Sequence, residues 1–138
     1  MIEIFSFVQE EWILFTLLIA LIATLFFTES KKAGISVSTQ EATRLINKDS
    51  ALVLDIREEK EFKTGHIIGS MSFPAPDIGK RFRELDKYKT RKIIVVCKMG
   101  HSSGSITKQL SSQGFSDVVR LAGGIIEWQS ANLPLKKP

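Results

Sequence analysis

From Trp12 to Thr28 the chain reads WILFTLLIALIATLFFT, seventeen residues without a charge, a glycine or a proline. As a helix this run rises roughly 25 Å at ~1.5 Å per residue, against a bilayer hydrocarbon core of ~30 Å. It is apolar all round, whereas a core helix of a small globular domain carries one apolar stripe. A cleavable signal peptide needs a basic start and a small-residue cleavage site. Here the start is acidic, with Glu3, Glu10 and Glu11, and Phe26-Phe27-Thr28-Glu29 is a poor cleavage site. The run therefore predicts one transmembrane helix over about 12–28, within an N-terminal segment 1–30. Residues 31–34 are the predicted linker, and a separate domain is expected over 35–138. Trp12 suits an interface, and Lys31 and Lys32 follow the span while no base precedes it. The positive-inside rule then places the C-terminal domain in the cytoplasm.

Charge is distributed as unevenly as hydropathy. All 19 bases and eleven of the 15 acids lie beyond residue 30, so that part carries a net +8. This favours an anionic membrane surface and small anionic ligands. The basic stretches Lys80-Arg81-Phe82-Arg83 and Lys87–Lys92 lack an interleaved aromatic platform, so no nucleic acid is expected as a partner. At 43% hydrophobic and 25% charged, the chain has enough apolar residues to form a core. One cysteine excludes an internal disulfide framework, and one cysteine with two histidines makes a poor metal set.

Past residue 35, strand and helix patterns alternate. Ser38-Thr39-Gln40-Glu41 has the form of a capping box and opens a helix to about Asn47. Ala51–Ile56 and Lys92–Val96 are short apolar runs of the kind found in buried parallel strands. Short helices are expected over Glu58–Lys63 and Asp77–Leu85, with a short strand at Met71–Phe73 between them. A helix over Ser103–Gln113 ends at Gly114, a strand follows at Val118–Leu121, and Gly123-Gly124 opens a last helix whose Ile125, Ile126 and Trp128 face inward. The order predicts an α/β domain with a mostly parallel sheet. In such sheets ligands bind at the carboxyl ends of strands. Two strand ends carry reactive or charged residues: Asp55-Ile56-Arg57 and Cys97.

Cys97 is followed by Lys98, Met99, Gly100, His101, Ser102 and Ser103, then by a helix. Free cysteines are often small buried hydrophobes. This one stands before a Gly/Ser loop and a helix start, whose unpaired N–H groups form an anion cradle. A cradle of that kind favours the thiolate, the nucleophilic form. Thiol-based phosphate ester hydrolysis needs an Arg six residues after the cysteine to clamp phosphate, and that position is Ser103. Sulfur transfer needs no such fork, because a persulfide anion is held by N–H and hydroxyl donors. Asp55 with Arg57, and His66, read as structural residues, while His101 sits in the loop itself.

The run CKMGHSS resembles the active-site loop of the rhodanese family, Cys-x-x-Gly-x-[Arg/Ser]-Ser. Further matches are Leu54-Asp55-Ile56-Arg57, Glu61-Phe62 with Gly65-His66-Ile67 and Gly69-Ser70, Gly114-Phe115 with Val118, and Leu121-Ala122-Gly123-Gly124 with Trp128 and Pro134. The resemblance implies a five-stranded, mostly parallel sheet flanked by helices, preceded here by the transmembrane helix. It also implies Cys97 as persulfide carrier, with Lys98, Met99, Gly100, His101, Ser102 and Ser103 around the substrate. A small anionic sulfur donor such as thiosulfate, and a thiol, cyanide or carrier-protein acceptor, follow from it. No metal or organic cofactor is implied. Many members carry Arg where this chain has Ser102, and Lys98 is then the cation nearest the nucleophile in sequence. Single-span members anchored in a bacterial plasma membrane are similar to this chain, which makes membrane lipid an expected partner. The alternative is a non-catalytic binding or redox-sensing module at the membrane.

Overall fold

A computed structural model describes the backbone of residues 1–32 and 34–137, and side chains outside residues 29–33. The chain divides into two compact units, Met1–Lys32 and Ala33–Pro138. The first holds two helices, α1 (Ile2–Glu10) and α2 (Trp12–Lys32). The two meet at Glu11 with a bend of 73° between α1 and the stretch Trp12–Thr28. This changes the expectation of one spanning helix. Among the described residues no single helix is long and apolar enough to cross a membrane, although the bent pair meets both conditions together. Every described side chain of both helices is exposed. The side chains of Lys31 and Lys32, on which the orientation argument rests, lie outside the described residues.

The second unit is a five-stranded sheet with its strands in the order β1-β5-β4-β2-β3, all neighbours parallel. Its elements run β1 (Ser36–Val37), α3 (Thr39–Lys48), β2 (Leu52–Asp55), α4 (Glu59–Thr64), β3 (Met71–Ser72), α5 (Phe82–Leu85), β4 (Ile93–Val96), α6 (Ser103–Ser112), β5 (Val118–Leu121) and α7 (Gly124–Ser130). Short 3-10 turns cover Ala75–Asp77 and Asp86–Tyr88. The two central apolar runs are explained by burial on both faces. Leu52, Leu54, Ile93 and Val95 pack with Leu85, Ile106 and Leu110 on one face. Val53, Ile94 and Val96 pack with Ala42, Leu45, Ile125 and Trp128 on the other.

Local chemistry sets the helix starts. Ser38 Oγ accepts the Glu41 N–H at 3.1 Å, as its capping position requires. The reciprocal half of the box is diverted: Arg44 Nε donates to Glu41 Oε2 at 3.0 Å. That hydrogen bond holds the Glu41 carboxyl below the usual carboxylate range. The helix expected over Asp77–Leu85 is reduced to α5, Phe82–Leu85. Gly79 interrupts it at a cost of ~1 kcal/mol relative to Ala, and the chain makes tight turns instead, with Lys80 N–H donating to Asp77 O at 3.1 Å. Ile78 and Leu85 are both fully buried by this route. Ile126, expected to face inward, is exposed on α7.

At the end of β2, Asp55 and Arg57 form a buried bidentate pair. Arg57 Nε lies 3.0 Å from Asp55 Oδ1 and Nη2 lies 2.8 Å from Oδ2. Nη2 also donates to the Gly65 carbonyl at 2.7 Å, and the Arg57 N–H to Asp55 Oδ1 at 3.1 Å. The pair therefore ties the end of β2 to the end of α4. His66 is held structurally too: its Nδ1 lies 3.0 Å from the Phe62 carbonyl, which can only accept, and its ring stacks on Phe62. Replacing Asp55→Ala strands a buried guanidinium. The expected loss is about 3–5 kcal/mol, read by urea unfolding through Trp128 fluorescence in a Trp12→Phe background.

Candidate functional site

β4 is central, and its carboxyl end delivers Cys97 to the top of the sheet between α6 and α7. Cys97 is 5% exposed, and its Sγ accepts the Gly100 N–H at 2.9 Å. The chain therefore curls back on the sulfur within three residues. Gly100 makes the curl at φ +90°, where side chains are strained, and a Cβ there would lie 3.0 Å from the Gly123 nitrogen. The backbone N–H groups of Lys98, Met99, His101 and Ser102 have no protein acceptor among the described residues. They remain available to an anion.

The loop is held from beneath by two other elements. Ile125 N–H donates to the Cys97 carbonyl at 2.9 Å, and Ile126 N–H to the Lys98 carbonyl at 3.2 Å. The start of α7 thus spends its unpaired donors on the active-site backbone. That approach needs Gly124, whose φ is +62° and whose added Cβ would sit 2.3 Å from the Cys97 oxygen. From the other side, the Gly100 carbonyl accepts from Ser103 Oγ at 3.1 Å and from Arg120 Nη1 at 3.1 Å. Thr107 Oγ1 in turn donates to the Ser103 carbonyl at 2.6 Å.

The structure thus brings together Cys97, Gly100 and Ser103 of the expected set. Ser103 is fully buried, with its hydroxyl directed to the Gly100 carbonyl. Lys98, Met99, His101 and Ser102 are exposed around the loop, Met99 at 55%. No group of three His, Cys, Asp or Glu side chains could hold a metal ion among the described residues.

Three residues of this arrangement escaped the reading of the sequence as chemistry: Gly123, Gly124 and Arg120. The Gly-Gly pair was visible as a helix opening. Its contact with the Cys97 carbonyl is a tertiary fact that no local pattern encodes.

Comparison with known proteins agrees with this architecture. The family described as "Rhodanese-like domain" matches residues 38–131. The Escherichia coli K12 protein YibN, itself described as uncharacterized, is 36% identical across 96% of both chains. The thiosulfate sulfurtransferase GlpE of Pseudoalteromonas translucida is 33% identical over 69% of this chain and 89% of its own. Among solved structures, a rhodanese-related protein from Thermoplasma volcanium superposes with a TM-score of 0.67 at 26% identity, covering 74% of this chain and 97% of that one. The chain belongs to the rhodanese-like family.

Gly124→Ala tests the support beneath the loop. A non-glycine residue in the left-handed region and a clash with the Cys97 carbonyl together cost at least ~2 kcal/mol. The variant is expected to unfold at lower urea concentration and to expose Cys97 to faster alkylation in the native state.

Proposed function

We propose that this protein is a membrane-anchored sulfurtransferase that carries sulfane sulfur on Cys97. The observation that carries the reading is the Cys97 sulfur, curled under by the Gly100 N–H at 2.9 Å within a loop of uncommitted N–H groups. Kinship with the GlpE thiosulfate sulfurtransferases at 31–34% identity supports the same class of activity.

In the first half-reaction the Cys97 thiolate attacks the outer sulfur of a donor such as thiosulfate. A bond forms between Sγ and that sulfur, the donor's S–S bond breaks, and sulfite leaves with the bonding pair. The persulfide that remains is an anion among backbone donors, which stabilise the charge as it develops. In the second half-reaction an acceptor thiolate or cyanide attacks the terminal sulfur, and the pair of the broken bond returns to Sγ. No net oxidation takes place over the cycle. Lys98, Met99, Gly100, His101, Ser102 and Ser103 surround the sulfur in this scheme, Lys98 drawing in the anionic donor as a mobile point charge.

The reading extends to the N-terminal unit. Helices α1 and α2 leave apolar side chains exposed on all sides, which a lipid environment would cover. The pair is proposed as a single-pass anchor in a bacterial plasma membrane, with Lys31 and Lys32 on the cytoplasmic side. The domain then faces the cytoplasm, where one unpaired thiol persists.

Two measurements test these proposals. Intact mass of the full chain after incubation with thiosulfate is expected to show a gain of one sulfur atom, removed by reductant and absent in Cys97→Ser. An unchanged mass with thiosulfate and with inorganic polysulfide would sink the sulfurtransferase reading. For the anchor, carbonate washing of membranes is expected to leave the full chain in the pellet, and protease added to spheroplasts to spare the domain. Release by carbonate, or digestion from outside, would overturn the anchor or its orientation.

A further inference from the structure

β5 alternates its side chains between two apolar layers, and one position breaks the pattern. Val118 packs in the layer of Leu54, Val95, Cys97 and Ile106, while Val119 and Leu121 pack in the layer on the opposite face. Arg120 stands two residues after Val118 and pairs with Val95, so it takes the face on which Cys97 packs. An apolar side chain would fill that place without burying a polar group. The arginine is instead half-buried, and its Nε is shut off from solvent with no hydrogen-bond partner among the described residues. A buried donor left open in this way is a cost that packing does not explain.

The charge of Arg120 is as uncommitted as its Nε. It forms no ion pair among the described residues. A cation drawn partly out of water needs a counter-charge. The one hydrogen bond its side chain makes there runs from Nη1 to the Gly100 carbonyl at 3.1 Å.

Gly100 connects this cation to the nucleophile. Its carbonyl takes Arg120 Nη1 and Ser103 Oγ, and its N–H donates to the Cys97 Sγ at 2.9 Å. Two donors on the carbonyl fix the turn. A carbonyl that accepts from a cation also polarises its own peptide. The N–H of that peptide belongs to His101, one of the donors the protein leaves uncommitted. Both effects favour negative charge at the loop.

We infer that Arg120 is a positioning residue for sulfur transfer, and that the counter-charge to its guanidinium is the anion carried at Cys97. The inference rests on the sulfurtransferase reading of Cys97. Negative charge resides on Sγ as the thiolate, moves to the terminal sulfur in the persulfide, and returns to Sγ when the acceptor leaves with that sulfur. Arg120 serves both half-reactions because it acts on this charge through Gly100, and not on the donor.

The test compares two reactions of Cys97 at neutral pH, on the full chain in detergent. Iodoacetamide is uncharged, so its rate reports the sulfur alone. Loading by thiosulfate, followed by intact mass, reports the sulfur and the donor together. The variants are Arg120→Gln, which keeps an N–H donor without charge, and Arg120→Lys, which keeps the charge. Arg120→Gln is expected to slow alkylation about tenfold, as loss of one nearby charge would, and to slow loading by a similar factor. Arg120→Lys is expected within about threefold of the unaltered chain in both reactions. The direction separates this role from that of a brace, because a loop that has only lost support opens and is alkylated faster. Faster or unchanged alkylation in Arg120→Gln would overturn the inference. Equal slowing in both variants would do the same, since charge would then not be the agent. Slower loading with alkylation untouched would place Arg120 on the donor, which also overturns it. Failure of the unaltered chain to load sulfur from thiosulfate or polysulfide is a separate result, and it removes the sulfurtransferase reading together with this one.

Discussion

Two hydrogen bonds from the start of α7 to the carbonyls of Cys97 and Lys98 fix the geometry on which the site depends. A helix start ordinarily satisfies its free N–H groups with a side-chain cap. Here Gly123 supplies no side chain, and the backbone of another element takes that part. The arrangement demands close approach, so glycine is required at 124 on steric grounds and at 100 for the facing turn. With the carbonyls of Cys97, Lys98 and Gly100 held by protein donors, the loop leaves the N–H groups of Lys98, Met99, His101 and Ser102 uncommitted. The shape of the loop thus follows from what α7 does beneath it.

A second constraint acts at the neighbouring strand. The Asp55–Arg57 pair is buried, and burial of charge is favourable only where geometry satisfies every lone pair and proton. Asp55 accepts from the Arg57 side chain and from its backbone N–H, and the Gly65 carbonyl takes a further guanidinium proton. The pair fixes α4 against the end of β2, beside the strand that carries Cys97.

The sequence made some of this legible and hid the rest for identifiable reasons. β2 and β4 are buried on both faces, so their apolar runs stood out, and Ser38 marked a helix start by its own hydrogen bond. The strand–cysteine–loop–helix order likewise exposed the nucleophile. β1 is two residues long and exists only through pairing with β5, too short to show any period. The stretch after Pro76 has helical composition, but burial of Ile78 and Leu85 is achieved by turns around Gly79. The bend at Glu11 is invisible to hydropathy, which measures how apolar a segment is and not whether it is straight. The inward or outward sense of Ile126 depended on where α7 docks, and its docking is decided by Gly124.

With serine at 102 and at 103, the loop has no guanidinium of its own. In this molecule the guanidinium nearest Gly100 is that of Arg120, and it reaches the Gly100 carbonyl from β5 at 3.1 Å. Val95 and Arg120 are paired across the parallel strands, so Arg120 points to the same sheet face as Val95 and Cys97. Acting on a carbonyl, it orients the loop peptide, while its Nε is buried without a partner among the described residues. Ser103 shares that carbonyl, so two donors fix the turn whose N–H faces the sulfur. Among the residues from Cys97 to Ser103 only Lys98 carries a fixed positive charge, and it is exposed. The guanidinium that reaches the loop is thus turned on the protein's own backbone, where it sets the shape of the turn that faces the sulfur.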